Sequence, residues 1–305
     1  MVLRGIALLH SVRIVLLLLL STAVLFAQLD GIVDIHTHAD PDSTPRKIDV
    51  LELARLAKAE HMRGVVLKNH YAPTVQAAYL LREVVPGIEL FGAIALNRSV
   101  GGVNSEAVAQ SAAFKGKYLR IVWMPTIDAE NNVRGLKENR PSVPVSRNGK
   151  LLPEVIDVLK IIAKENIALA TGHSTPAEDL MLVEEGRRQG ITKIVVTHPL
   201  YFTVAMSVDQ MKQAAQMGAY LEFCANSVLP TAPATNRIPF DDYVKAIRAV
   251  GVDHTILSSD LGQPANPVHT EGWKIYLAML RKAGFTESEI DAMAKHNPAH
   301  LVGLE

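Results

Sequence analysis

Five apolar runs in this chain each end on a residue that can bind a metal ion. They read GIVDIHTH at 31–38, GVVLKNH at 64–70, IALATGH at 167–173, KIVVTH at 193–198 and TILSSD at 255–260. Each has the length and near-continuous apolarity of a buried parallel strand. Parallel strands closed into a barrel bring their C-terminal ends onto one face, where side chains from different strands converge. Histidine and aspartate gathered there supply nitrogen and oxygen donors that a divalent ion takes. One pattern therefore constrains both fold and chemistry.

Helix patterns separate the runs. Apolar periodicity at 50–61 follows the first strand, and that at 75–85 follows the second, with Thr74 as N-cap and Pro86-Gly87 as its stop. Runs at 90–96, 118–124 and 219–224 complete eight strands, and further helix patterns occupy 105–114, 153–164, 240–250 and 271–283. Thr175-Pro176-Ala177-Glu178, Ser207 with Gln210, and Thr286 with Glu289 are capping boxes that start three more helices. The alternation predicts an α/β fold, a (β/α)8 TIM barrel spanning 28–305. An open doubly wound sheet is the alternative, and no Gly-rich phosphate fingerprint follows the first strand to support it. The polar stretch 128–150 is the longest connection and reads as a lid or substrate loop.

The chain's 31 basic and 31 acidic residues cancel, which argues against a nucleic-acid partner or a polybasic membrane surface. Cys224 is the only cysteine, so no intrachain disulfide and no thiolate zinc motif can form. Residues 1–27 read as a leader: Arg4 and Arg13 precede an apolar stretch at 14–27, the length of a signal h-region and short for a membrane span. Ala27 before Gln28 is the expected cleavage point. Leu25 is larger than the residue usual at that place, which leaves an uncleaved anchor as the alternative. The expected location is secreted or periplasmic, with anchoring in the inner membrane as the second choice. The expected partner is a small-molecule substrate; a membrane tether through 1–27 and a homo-oligomer stay open.

His36 and His38, two apart on one strand, project together. Taken alone they read equally well as two polar strand-end residues. His173 could cap the helix that follows it, His198 could be a loop residue before Pro199, and Asp260 a turn residue before Gly262. Five such residues at four strand ends are hard to explain as packing. Lys68 and His70 share one face of the second strand, which neighbours the first at about 5 Å. Imidazole donors without thiolates favour Zn2+, with Mn2+ or Fe2+ as alternatives.

Together these motifs resemble the amidohydrolase superfamily of metal-dependent hydrolases. His36 and His38 end strand one, His173 and His198 end strands five and six, and Asp260 ends strand eight. The tail Asn297-Pro298-Ala299-His300-Leu301-Val302-Gly303-Leu304 resembles that family's closing NPA-x-LLGL segment. The resemblance implies a distorted TIM barrel, one or two divalent ions, and a metal-activated water that cleaves an amide, lactone or ester bond. It makes His36, His38, His173, His198 and Asp260 metal ligands, with Asp260 also the catalytic proton carrier. Binuclear members bridge their ions with a carboxylated Lys or a Glu at the end of strand four. Here 118–124 reads YLRIVWM and supplies neither. Lys68 as a carbamate is one candidate bridge; binding a substrate carboxylate or pairing with Asp260 are its other readings. His70, Asn97, Glu222, Asn226, Gln263 and His269 are the expected substrate contacts, while His61, His254, His296 and His300 read as structural. A mononuclear decarboxylase of the same superfamily remains an alternative, as does a non-enzymatic periplasmic binding protein. A PHP-type phosphoesterase should end in Asp-x-His, whereas Leu261 and Gly262 follow Asp260.

Overall fold

The computed structural model describes residues 29–233 and 237–304; the expected leader lies outside the described residues. Eight parallel strands form one sheet in chain order: β1 (Val33–Thr37), β2 (Gly64–Leu67), β3 (Glu89–Ala95), β4 (Leu119–Trp123), β5 (Ala168–Ala170), β6 (Ile194–Val196), β7 (Tyr220–Cys224) and β8 (Thr255–Ser258). The sheet closes where the chain's ends meet. Asp260 N donates to His36 O and His38 N donates to Leu261 O, both at 2.8 Å. A parallel bridge between Thr37 and Leu261 completes this seam. The architecture is the TIM barrel, not the open sheet.

Eight helices cover it: α1 (Val50–Ala59), α2 (Val75–Val84), α3 (Ser105–Ala113), α4 (Pro153–Lys164), α5 (Pro176–Arg188), α6 (Val208–Gln216), α7 (Phe240–Val250) and α8 (His269–Lys282). Each buries an apolar stripe on the strands, as with Val155, Val158, Leu159 and Ile162 of α4. The capping boxes at Thr175, Ser207 and Thr286 all form. Each N-cap satisfies an otherwise orphaned amide and contributes about 1 kcal/mol. Among the described residues no helix is long and apolar enough to cross a membrane.

Two expectations change. His36 apart, which lies within β1, the strands stop short of their ligand residues: β5 ends at Ala170, three residues before His173. Those donors therefore sit on the loops that leave the strands. The polar stretch 128–150 is also not a free lid. It carries a short helix (Glu130–Gly135), and Asn131 Nδ2 donates to the backbone oxygens of His173, Ser174 and Thr203. Val133, Val143 and Val145 beside it are buried. The segment braces the loops after β5 and β6. At the opposite end of the barrel, Ala299, Leu301 and Val302 of the C-terminal helix join Val33, Ile35 and Ile256 in one buried cluster and plug the interior.

Candidate metal centre

His36 lies in β1, fully buried, and is held from both sides of its ring. Its Nδ1 is 3.0 Å from Glu222 Oε1 on β7. Its Nε2 is 3.1 Å from Asp260 Oδ1 and 2.8 Å from Lys68 Nζ. His38 Nε2 is 3.2 Å from the same Asp260 oxygen. The donor atoms of His36, His38 and Asp260 all lie within 4.8 Å of one another. His173 and His198 form a second pair, with ring centroids 4.8 Å apart, and the His198 ring stacks on that of His36 at 6.0 Å. The structure thus brings together every expected metal ligand: His36, His38, Lys68, His173, His198 and Asp260.

The loops that deliver them are constrained. Asp260 and His198 have φ of +48° and +25°, a left-handed region that non-glycine residues rarely occupy. Such positions cost about 1–3 kcal/mol and cluster at functional sites. Gly262 has φ +131°, and a Cβ there would lie 2.0 Å from His38 O. Only glycine lets the chain turn after Asp260 while staying against β1.

Burial pushes His38 down to about 3 and His198 down to about 4, and holds His173 well below the ordinary range. These rings are neutral at neutral pH, as ligand imidazoles must be. His36 behaves oppositely. Burial opposes its charge, yet Asp260 and Glu222 on either side outweigh that and raise it to about 9. Asp260 is held well below the carboxylate range, with His36 and His38 overcoming its burial. The field between the two carboxylates therefore favours a cation. The Nδ1 atoms of His38, His173 and His198 are buried with no hydrogen-bond partner among the described residues. Neutral imidazoles with unengaged nitrogens around an ionised carboxylate fit a divalent ion.

The donors open onto a cavity of about 230 Å³. Of the expected substrate contacts, His70, Asn226 and Gln263 line it. Asn226 Nδ2 donates to Asp260 Oδ2 at 3.3 Å, and Gln263 Nε2 to Asp260 O at 2.9 Å. Asn97, Glu222 and His269 do not line it. Asn97 is buried and bonds His70 O and Thr126 Oγ1, which places it behind His70. Glu222 lies behind His36, and His269 Nε2 donates to Leu261 O at 2.9 Å. These three hold the wall rather than form its surface.

Three residues stand out that the sequence reading passes over. Tyr201 packs its ring 4.8 Å from His198 and 5.5 Å from His173. Its place three residues after His198 was the available signal. Arg46 reaches the cavity from the long polar connection after β1, where no periodicity marks it. Asp34 accepts Ser259 N at 3.0 Å and Trp273 Nε1 at 2.7 Å, tying β1 to β8 and α8.

The model of a family of unknown function, DUF6282, matches residues 31–222, and that of the phosphotriesterase family matches residues 161–302. Among solved structures, the organophosphorus hydrolase from Deinococcus radiodurans is similar with TM-score 0.61 and 16% identity, over 91% of this chain and 94% of that one. A structure reported as organophosphate hydrolysis activity engineered from a weak promiscuous lactonase template matches with TM-score 0.59 and 17% identity, over 91% and 97% of the two chains. No curated protein matches the chain. The chain shares its barrel with these structures, and the match over more than half of its length makes it a member of family DUF6282.

Proposed function

We propose that the protein is a metal-dependent hydrolase that cleaves an ester-type bond, in a lactone, carboxylic ester or phosphoester, of a small molecule. One observation carries this: a single Asp260 oxygen lies 3.1 Å and 3.2 Å from the Nε2 atoms of His36 and His38, on the cavity wall. The phosphotriesterase match and the likeness to an organophosphorus hydrolase support the ester class. His36, His38, His173, His198 and Asp260 would hold one or two divalent ions, zinc first and manganese or iron second. When bound, such an ion supplies Lewis acidity toward water and the scissile group. The chain's own residues supply the rest. Asp260, kept ionised by its two histidines, takes a proton from the attacking water. The water oxygen bonds to the acyl carbon or phosphorus, the ester bond breaks, and the departing oxygen receives that proton. His70, Asn226 and Gln263 position the substrate. The cavity is smaller than the roughly 300–1,000 Å³ of drug-sized sites, which suits a compact substrate.

Lys68 is assigned the bridging role. Its amine bonds to the carbon of carbon dioxide and loses one proton, giving a carbamate beside His36. Trp123 stands at the end of strand four where no carboxylate occurs, and its buried Nε1 has no acceptor among the described residues. The Lys68 Nζ lies over the face of that indole, 4.9 Å from its centroid. Elemental analysis with a turnover screen of lactones, carboxylic esters and organophosphates tests the reading. One or two ions per chain with metal-dependent turnover is expected; a metal-free protein after reconstitution overturns it. We also propose export through residues 1–27; native protein recovered in the cytoplasm with Met1 intact would refute it.

A further inference from the structure

Among the described residues, Arg46 is the one guanidinium on the cavity wall. Its side chain is 7% exposed, and Asp42, four residues earlier, fixes its orientation. Nε and Nη2 both bond Asp42 Oδ2 at 2.7 Å, while Asp42 Oδ1 accepts Thr44 N at 3.3 Å. A guanidinium carries two donor forks. Asp42 fills the side-on fork. The end-on fork, Nη1 with the second Nη2 proton, has no partner among the described residues.

The rest of the wall agrees with an anionic guest. Among the described residues, Asp260 is the only residue with a carboxylate of its own on the cavity wall. One Asp260 oxygen is engaged by His36 and His38, so it does not confront a second anion unscreened. Asn266 Nδ2 donates to Asn226 Oδ1 at 2.7 Å and to Gln263 Oε1 at 2.9 Å. This fixes the amide and leaves its buried Oδ1 without a donor. The wall thus offers a preset fork for an anion and a separate acceptor for an N–H or O–H. A neutral ester would leave the fork unpaired in a largely enclosed site, which is costly.

We propose that Arg46 anchors an anionic group of the substrate, a carboxylate or a phosphate, and selects charged small molecules over neutral esters. The anchoring rests on the hydrolase reading for its purpose but not for its detection. Glutaramate and its neutral diamide, glutaramide, share a backbone and differ by one carboxylate. The full chain as purified, with metal content measured on the same batch, is titrated calorimetrically with each. Glutaramate should bind at least about tenfold tighter, the size expected of one hydrogen-bonded charge pair. Arg46→Gln should bring the ratio close to one, and Arg46→Lys should keep part of it, because the charge remains and the fork is lost. Replacing glutaramate by 4-phosphonobutyramide separates the two anions: tighter binding that Arg46→Gln abolishes assigns a phosphate, and weaker binding a carboxylate. Equal binding of glutaramate and glutaramide by the wild type overturns the proposal, as does a ratio that survives in Arg46→Gln. Should Arg46→Gln fail to fold, the wild-type ratio and its fall in Arg46→Lys decide. An Arg46-dependent ratio in a protein devoid of metal would keep the anchor and sink the hydrolase reading instead.

Discussion

Glu222 offers the sharpest test of the centre, because it touches no substrate and shapes the histidine that does the work. Its Oε1 accepts His36 Nδ1 at 3.0 Å and Ser258 Oγ at 2.8 Å, all three groups fully buried. Burial alone would raise its pKa, yet His36 holds it below the carboxylate range, so it stays an anion facing that ring. A carboxylate behind a metal-ligating imidazole fixes the ring and makes its other nitrogen a better donor, an effect of about 10–100-fold in metal affinity. Glu222→Gln keeps an acceptor oxygen and the shape but loses the charge, so metal affinity should fall near the lower end. Glu222→Ala removes the acceptor. Ser258 has an alternative in Cys224 Sγ at 3.3 Å, whereas His36 Nδ1 has none. One buried donor is orphaned, at about 1–3 kcal/mol, and affinity should fall toward the upper end. Competition against a calibrated chelator measures the affinity and denaturant unfolding the stability. Glu222→Ala that binds metal within twofold of wild type would show that the contact does not orient His36.

Asp260→Asn should retain metal, since an oxygen donor remains, and lose roughly 10²–10⁴-fold in kcat with little change in KM; near wild-type kcat removes Asp260 from proton transfer. Lys68→Met should lower the metal count from two to one if the lysine bridges, whereas full metal content with a raised KM would assign it to substrate binding. Asp179, fully buried on α5, has its carboxyl pushed well above the usual range by burial, against the Thr171 hydroxyl. Folding then takes up a proton, so its stabilising contribution is complete below about pH 4, the unfolded value, and is lost as pH rises toward the folded value. Asp179→Asn should therefore be about as stable as wild type at pH 4 and more stable by roughly 1 kcal/mol or more at pH 8; unfolding curves with the same pH slope for both proteins would contradict this.

The barrel and the convergence of its strand-end donors were legible because both are written in local patterns. Strand-length apolar runs, capping boxes and a donor at the end of each run require no knowledge of distant residues. Depth along the barrel was not legible. Its strand-end place made Glu222 an expected substrate contact, but no local pattern shows that it lies one layer below the rim, where it backs His36. Asn97 and His269 were displaced for the same reason: their polar atoms serve the backbone of neighbouring loops. Arg46 was invisible because its connection has no period and its partner Asp42 is a surface-looking residue in sequence. The stretch at 128–150 was misjudged as a lid because polarity alone does not distinguish a mobile loop from one whose asparagines tie other loops together.

The seam between β8 and β1 gives the centre a second meaning. His36 lies in the first strand, His38 just beyond it and Asp260 just beyond the last, so an ion held by all three would be a clasp between the first and last strands. Two backbone hydrogen bonds, from Asp260 N to His36 O and from His38 N to Leu261 O, already close the seam. A coordinated cation adds a crosslink over almost the longest loop the fold contains, where the entropy of ring closure is greatest. Removing it should first loosen these two amides, before the helices or the remaining seven strand pairings feel the change. Hydrogen exchange at His38 and Asp260 would then serve as a gauge of occupancy, and the order in which strands fray on chelation would trace the barrel opening like a ring cut at one point.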